Sequence, residues 1–172
     1  VELDEALYTT RAMRRVKPDR VPESVVAAML DAAIRAPSGG NSQNWRFLTV
    51  VDPATKAVLG PAYRRAYEQL EKNVYAQAWE KARRENDESV LRVQRSSAWL
   101  AENFEEVPLW FLAFSRNDPS GASIYPAVWS AMLSARGHGI GTCLTTILGI
   151  YEGKLVFETL GVPEDKGWAL KA

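Results

Sequence analysis

Two of the commonest chemical tools are nearly missing from this chain: its 172 residues include one cysteine and one histidine. Cys143 alone cannot close an intrachain disulfide, and sparing use of cysteine fits a reducing, cytoplasmic compartment. With His138 the sole imidazole, a His-rich metal centre is excluded, and His138 with Cys143 is too small a set for structural zinc. Net charge is missing too, since 21 Lys and Arg balance 21 Asp and Glu. That balance argues against charge-driven binding to nucleic acid or to an anionic membrane. No apolar run approaches the roughly 20 residues that span a bilayer. No signal-peptide pattern opens the chain, and there is no internal repeat, low-complexity tract or evident nucleophile constellation. What remains is an ordinary globular composition, 47% hydrophobic and 24% charged, read as one domain over residues 1–172 with a real core.

The hydrophobic pattern gives the element order. Leu3 to Tyr8 reads as a short helix with Asp4 and Glu5 in its first turn. Val21-Pro22-Glu23 opens a second helix, with Val25, Val26, Met29, Leu30, Ala33 and Ile34 at helical spacing and Pro37 as its stop. Phe47 to Val51 is a β-rich run broken at Asp52-Pro53. Residues 54–104 read as a long helical excursion with a charged break over 83–89, and Trp79 suits either core packing or a pocket wall. Pro108 to Phe114 is a continuous apolar run, as expected of a strand covered on both faces. Ala122 to Arg136 is a helix that is apolar nearly all round, so it is interior or shared with a partner subunit. Gly137 to Thr146 reads as a glycine-spaced turn entering a strand, Tyr151 to Leu160 as a helix capped by Gly161, and Lys166 to Ala172 shows no clear pattern.

Three stretches stand out chemically. Thr9 to Lys17 packs Arg11, Arg14, Arg15 and Lys17 together, either as a solvated basic segment or as a fork for a phosphate. In an extended segment Arg11, Met13 and Arg15 would alternate to one side. The run Ala36-Pro37-Ser38-Gly39-Gly40-Asn41-Ser42-Gln43-Asn44-Trp45-Arg46-Phe47 holds two adjacent glycines and three side-chain amides. Its glycines allow positive φ and a close approach, and its amides could read the polar edge of a ring, although a polar turn leading to a core tryptophan also accounts for it. Gly139-Ile140-Gly141-Thr142-Cys143 is the third, and it lacks the strand–glycine–helix order of a dinucleotide site.

In this order and separation, the three stretches closely resemble the FMN-dependent nitroreductase family, and Gly121 to Val128 looks like that family's central helix. The resemblance covers nearly the whole chain. It implies an α+β fold with a small, mostly antiparallel mixed sheet flanked by helices, and an intertwined homodimer with FMN at the subunit interface. Carried over by position, Arg11, Met13 and Arg15 hold the flavin phosphate and ribityl chain. Pro37, Ser38, Gly39 and Asn41 approach the partner's flavin, and Gly141, Thr142, Leu144 and Thr145 lie near its reactive edge. The implied activity is hydride transfer from NADH or NADPH through flavin N5 to an electron-poor small-molecule acceptor such as a nitroaromatic or quinone. A specialised relative that dehalogenates or cleaves its own flavin, and a flavin-binding protein without turnover, fit the same resemblance. Two departures accompany it. Asn44 stands where many relatives have proline, and Lys166 to Ala172 does not look like the partner-wrapping arm with which the family commonly continues.

Overall fold

A computed structural model describes every residue from Val1 to Ala172. Helix α1 (Leu3–Thr9) is followed by an irregular segment and by α2 (Glu23–Ile34), whose buried Val25, Met29 and Ala33 form one stripe. After the glycine–amide loop comes β1 (Trp45–Val50). The Asp52 carboxylate accepts from the Thr55 backbone N–H and Pro53 occupies the first turn, so α3 (Pro53–Leu70) starts where sequence chemistry places it. A single π turn over Glu71–Tyr75 joins α3 to α4 (Ala76–Glu85). Asn86, in the left-handed region at φ 53°, ends α4, and Asp87 caps α5 (Glu88–Glu102) through the Ser89 and Val90 N–H groups. The expected charged break therefore separates two helices by two residues.

Strand β2 (Trp110–Ser115) pairs antiparallel with β1, from Trp45 opposite Ser115 to Val50 opposite Trp110. Helix α6 (Ile124–Gly137) and helix α7 (Ile147–Leu160) follow, and Gly161 caps α7 at φ 65°. The last strand, β3 (Ala169–Leu170), pairs antiparallel with β2 at Phe114 and Ser115. Sheet order is β1-β2-β3 with no parallel pair, so the fold is α+β and the sheet is antiparallel throughout.

Two sequence expectations are corrected. Residues 140–146 form no strand: the β-branched threonines there find no neighbouring strand to pair with. Conversely, the unpatterned tail supplies β3, a two-residue strand too short to show alternation.

Both faces of β2 are covered, as its continuous apolar run requires. Trp110, Leu112 and Phe114 belong to a core shared with α3, α5 and α7, and Ala113 to a second core shared with α2 and α6. In the first core Tyr63 stacks on Phe104 at 3.8 Å between centroids and Phe104 on Trp110 at 4.4 Å. Trp79 is buried there against Tyr67 and Tyr75, and its remaining surface lines a polar cleft with Glu68, Glu71 and Arg83. Buried Lys56 donates to the carbonyls of Val107 (2.6 Å) and Pro108 (3.1 Å), fastening the turn into β2. Burial pulls its pKa below the usual lysine value, with Asp52 opposing. Helix α6 buries Ile124, Ala127, Val128, Ala131 and Ala135 but leaves Trp129 39% exposed, so part of its apolar circumference faces outward.

Candidate functional site

Met13 of the basic segment and Thr142 of the glycine turn, 129 residues apart in sequence, meet directly. The Met13 N–H donates to the Thr142 carbonyl at 2.8 Å. A Cβ added to Gly141 would lie 2.9 Å from Met13 Cγ and 3.0 Å from its Cβ. Glycine is therefore required at 141 by the close approach of Met13, whose backbone cannot retreat without losing that bond. Gly139, at φ 76°, turns the chain out of α6, and the Ile140 N–H closes the helix on the Ala135 carbonyl.

Beyond this turn, none of the backbone N–H groups from Gly141 to Thr146 donates within the chain. A run of consecutive free donors is what an electron-rich edge needs from a protein. Thr145 is held from behind, its Oγ1 sharing a 3.1 Å hydrogen bond with the Tyr63 hydroxyl on α3. Burial pushes the Tyr63 phenol up to about 12, which keeps it protonated. Burial also raises the Cys143 thiol, with the Arg14 charge opposing, so no thiolate nucleophile is formed here.

Met13, Arg15, Gly141, Thr142, Leu144 and Thr145 all line a cavity of about 560 Å³. Its walls are mainly apolar, and Arg15 and Lys17 bring positive charge to it. Toward the tail the cavity follows β2 past Ala172, whose carbonyl accepts from the Ala113 N–H. Arg11 does not line it. The Arg11 guanidinium is exposed and donates to the Tyr8 and Thr10 carbonyls, both at 3.0 Å, so the expected one-sided alternation holds for Met13 and Arg15 only.

Pro37, Ser38, Gly39 and Asn41 lie elsewhere. The Gly39 N–H donates to Ser123 Oγ at the start of α6 (3.2 Å), the Gln43 N–H to Ser38 Oγ (3.2 Å), and the Gln43 amide to Asn41 Oδ1 (2.9 Å). Gly40, Asn41 and Gln43 all take positive φ. A Cβ on Gly39 would meet only Ser123 Oγ, at an ordinary 3.9 Å, so nothing in its own chain demands glycine there. The Met13–Thr142 cluster stands at the opposite end of α6. Fourteen residues at about 1.5 Å each put roughly 20 Å between the two halves of the expected site. Sequence reasoning missed Tyr63 and Ser123, which read as part of a helix stripe and as the start of the apolar helix; nothing local marks either as a support.

A family model supplies the remaining observation: the Nitroreductase family matches residues 7–170. The chain belongs to the nitroreductase family. Among relatives, the iodotyrosine deiodinase of Thermotoga neapolitana is 30% identical over 134 residues, covering 77% of this chain and 67% of that one. A local match to an NADH dehydrogenase of Thermus thermophilus is 50% identical over 57 residues, 33% of this chain and 28% of that relative. Among solved structures, an oxidised iodotyrosine deiodinase bound to FMN and 3-iodo-L-tyrosine superposes with a TM-score of 0.78 at 23% identity, over 99% of this chain and 85% of that one. That likeness establishes the nitroreductase fold. No helix of this family member is long and apolar enough to cross a membrane.

Proposed function

We propose that this nitroreductase-family chain binds FMN as a homodimer and passes a hydride from NADH or NADPH to an electron-poor acceptor such as a nitroaromatic or quinone. The observation that carries the reading is the separation of the two site halves by α6. One flavin cannot touch both ends of a helix about 20 Å long. A two-fold axis that lays α6 of one protomer beside α6 of its partner brings the Pro37–Asn41 loop of one copy to the Met13–Thr142 cluster of the other. Trp129 on α6, Ile34 at the end of α2, and Leu3 and Leu7 on α1 are exposed apolar residues on elements that pack around α6, as an interface between copies requires.

The cavity suits the cofactor in size and in its largely apolar walls, to which Arg15 and Lys17 bring positive charge and Asp19 one negative charge. When bound, FMN supplies the redox chemistry, taking and giving a hydride at N5, and the protein supplies position and electrostatics. Arg15 holds the phosphate, joined by Arg11 once its guanidinium releases the Tyr8 and Thr10 carbonyls. Met13 lies along the ribityl chain, its backbone fixed by Thr142. The unengaged N–H groups of Gly141 to Thr145 donate to the heterocycle, and Tyr63 keeps Thr145 from rotating away. Ser38, Gly39 and Asn41 come from the second copy, where the missing side chain at 39 admits the ring edge.

Reductive dehalogenation on the same flavin is a second reading, supported by the similarity to iodotyrosine deiodinase. The absorbance spectrum of purified protein, before and after anaerobic NADH or NADPH, tests both. A flavin band bleached by either nucleotide and restored by a nitroaromatic or quinone supports the main reading. Restoration by an iodinated phenol alone supports the second. No flavin band even after addition of FMN would sink both.

A further inference from the structure

The glycine–amide loop has little to hold it in its own chain. Between Ser38 and Gln43 its hydrogen bonds are internal: the Asn41 N–H to the Ser38 carbonyl, the Ser42 N–H to the Gly39 carbonyl, the Gln43 N–H to Ser38 Oγ, and the Gln43 amide to Asn41 Oδ1. None of the residues from Pro37 to Asn44 is buried. The Gln43 carbonyl accepts from the Trp45 N–H where the chain enters β1. Apart from that local bond, one hydrogen bond ties these six residues to the rest of the fold. It runs from the Gly39 N–H to Ser123 Oγ, at 3.2 Å.

Ser123 is in turn firmly placed. It stands immediately before α6, and Asp118 Oδ2 accepts from the Ser123 N–H (3.2 Å) and from the Ile124 N–H (3.0 Å). The carboxylate thus fixes the backbone on both sides of the Ser123 side chain, through bonds strengthened by its charge. Asp118 belongs to none of the chain's seven ion pairs, so its charge is not drawn elsewhere. The same short segment is closed by the Gly121 N–H on the Asp118 carbonyl (3.2 Å), and Ile124 is fully buried. Three hydrogen bonds therefore connect Asp118 through Ser123 to Gly39, anchored at α6 and ending on the loop.

We infer that Ser123 is a positioning residue for the flavin, holding Gly39 and its loop where they reach the partner's cofactor, and that Asp118 acts behind it by fixing Ser123. The assignment rests on the flavin reading and adds two residues that lie outside the loop's own motif. A loop free to sample many poses loses conformational entropy each time the cofactor binds, and a loop already held loses less. If Asp118 served only to cap α6, its removal would lower stability and leave cofactor affinity alone. The two roles are therefore separable, because Ser123 Oγ reaches the loop while the cap uses only the Ser123 and Ile124 backbone.

Four variants test this, each measured for FMN affinity by flavin fluorescence and for urea stability without FMN. Ser123→Ala should weaken FMN binding about fivefold, the scale of one neutral hydrogen bond, at an unchanged urea midpoint. Ser123→Thr, which keeps the hydroxyl, should restore most of that affinity. Asp118→Ala should lower both affinity and midpoint, whereas Asp118→Asn, which caps a helix as well as aspartate does, should keep both near wild type. Wild-type affinity in Ser123→Ala overturns the assignment, and that variant decides alone if Asp118→Ala does not fold. Folded Asp118→Ala with a lowered midpoint and unchanged affinity overturns the part given to Asp118, leaving it a cap. Wild-type protein that takes up no FMN overturns the flavin reading and this assignment together. Wild-type protein that binds FMN, beside a Ser123→Ala variant that binds it equally well, overturns this assignment alone.

Discussion

Gly141 shows how one absent methyl can hold a site together. Its Cα lies where Met13 must pass, and Met13 is pinned by the bond from its own N–H to Thr142. Gly141→Ala would push Met13 Cβ and Cγ, atoms too close to the backbone to swing clear. The expected stability loss is about 1–3 kcal/mol, the usual range for overpacking. FMN affinity should fall at least about tenfold in a fluorescence titration, because the cofactor's side of the segment moves with Met13. Tyr63 gives a prediction in pH. Its phenol is pushed up to about 12 in the folded chain against 10.0 for the free group, so the folded state holds its proton longer. The resulting stability is fully present below pH 10 and is lost as pH rises from 10 toward 12. Urea denaturation of wild type and Tyr63→Phe across pH 9 to 11.5 should show wild type alone losing this increment, amounting at most to roughly 2–3 kcal/mol. Parallel pH curves for the two proteins would show that Tyr63 does not titrate differently on folding.

Among the elements, β3 depends on α7 as much as on its strand partner. A Cβ on Gly149 would stand 2.3 Å from the Leu170 carbonyl oxygen, a backbone atom that β3 cannot relocate. Gly149→Ala should therefore detach the tail from α7 and cost about 1–3 kcal/mol in chemical denaturation. Faster hydrogen exchange at the Lys171 N–H, which donates to Ala113, should accompany it; unchanged exchange would argue against the coupling. The sequence announces its helices well, because Val25, Met29 and Ala33 keep helical spacing and Pro22, Pro53 and Gly161 mark ends. The same sequence conceals β3, whose two residues carry no period, and suggests a strand at 140–146, where threonine-rich chemistry has no partner. The candidate site shows in the sequence as three separate stretches, which only the family resemblance brings together. The residues alone do not show the Met13–Thr142 bond or the Tyr63–Thr145 support, because both join positions distant in the chain.

For the whole molecule, the outward apolar side of α6 is the decisive surface. Trp129, 39% exposed in one chain, would be covered by the partner in the proposed dimer. Trp129→Glu would bury a charge there, and the dimer dissociation constant should rise at least about 30-fold, the effect of about 2 kcal/mol at an aromatic anchor. Sedimentation velocity reads this directly, and an unshifted dimer would place the interface on another face. In the proposed dimer helix α6 is a spacer between two half-sites, and mass action follows from that spacing. If neither copy can enclose a flavin alone, cofactor and partner are thermodynamically linked, and each strengthens retention of the other. Dilution should then release FMN from the protein, and excess FMN should hold the dimer together at concentrations where the apoprotein falls apart.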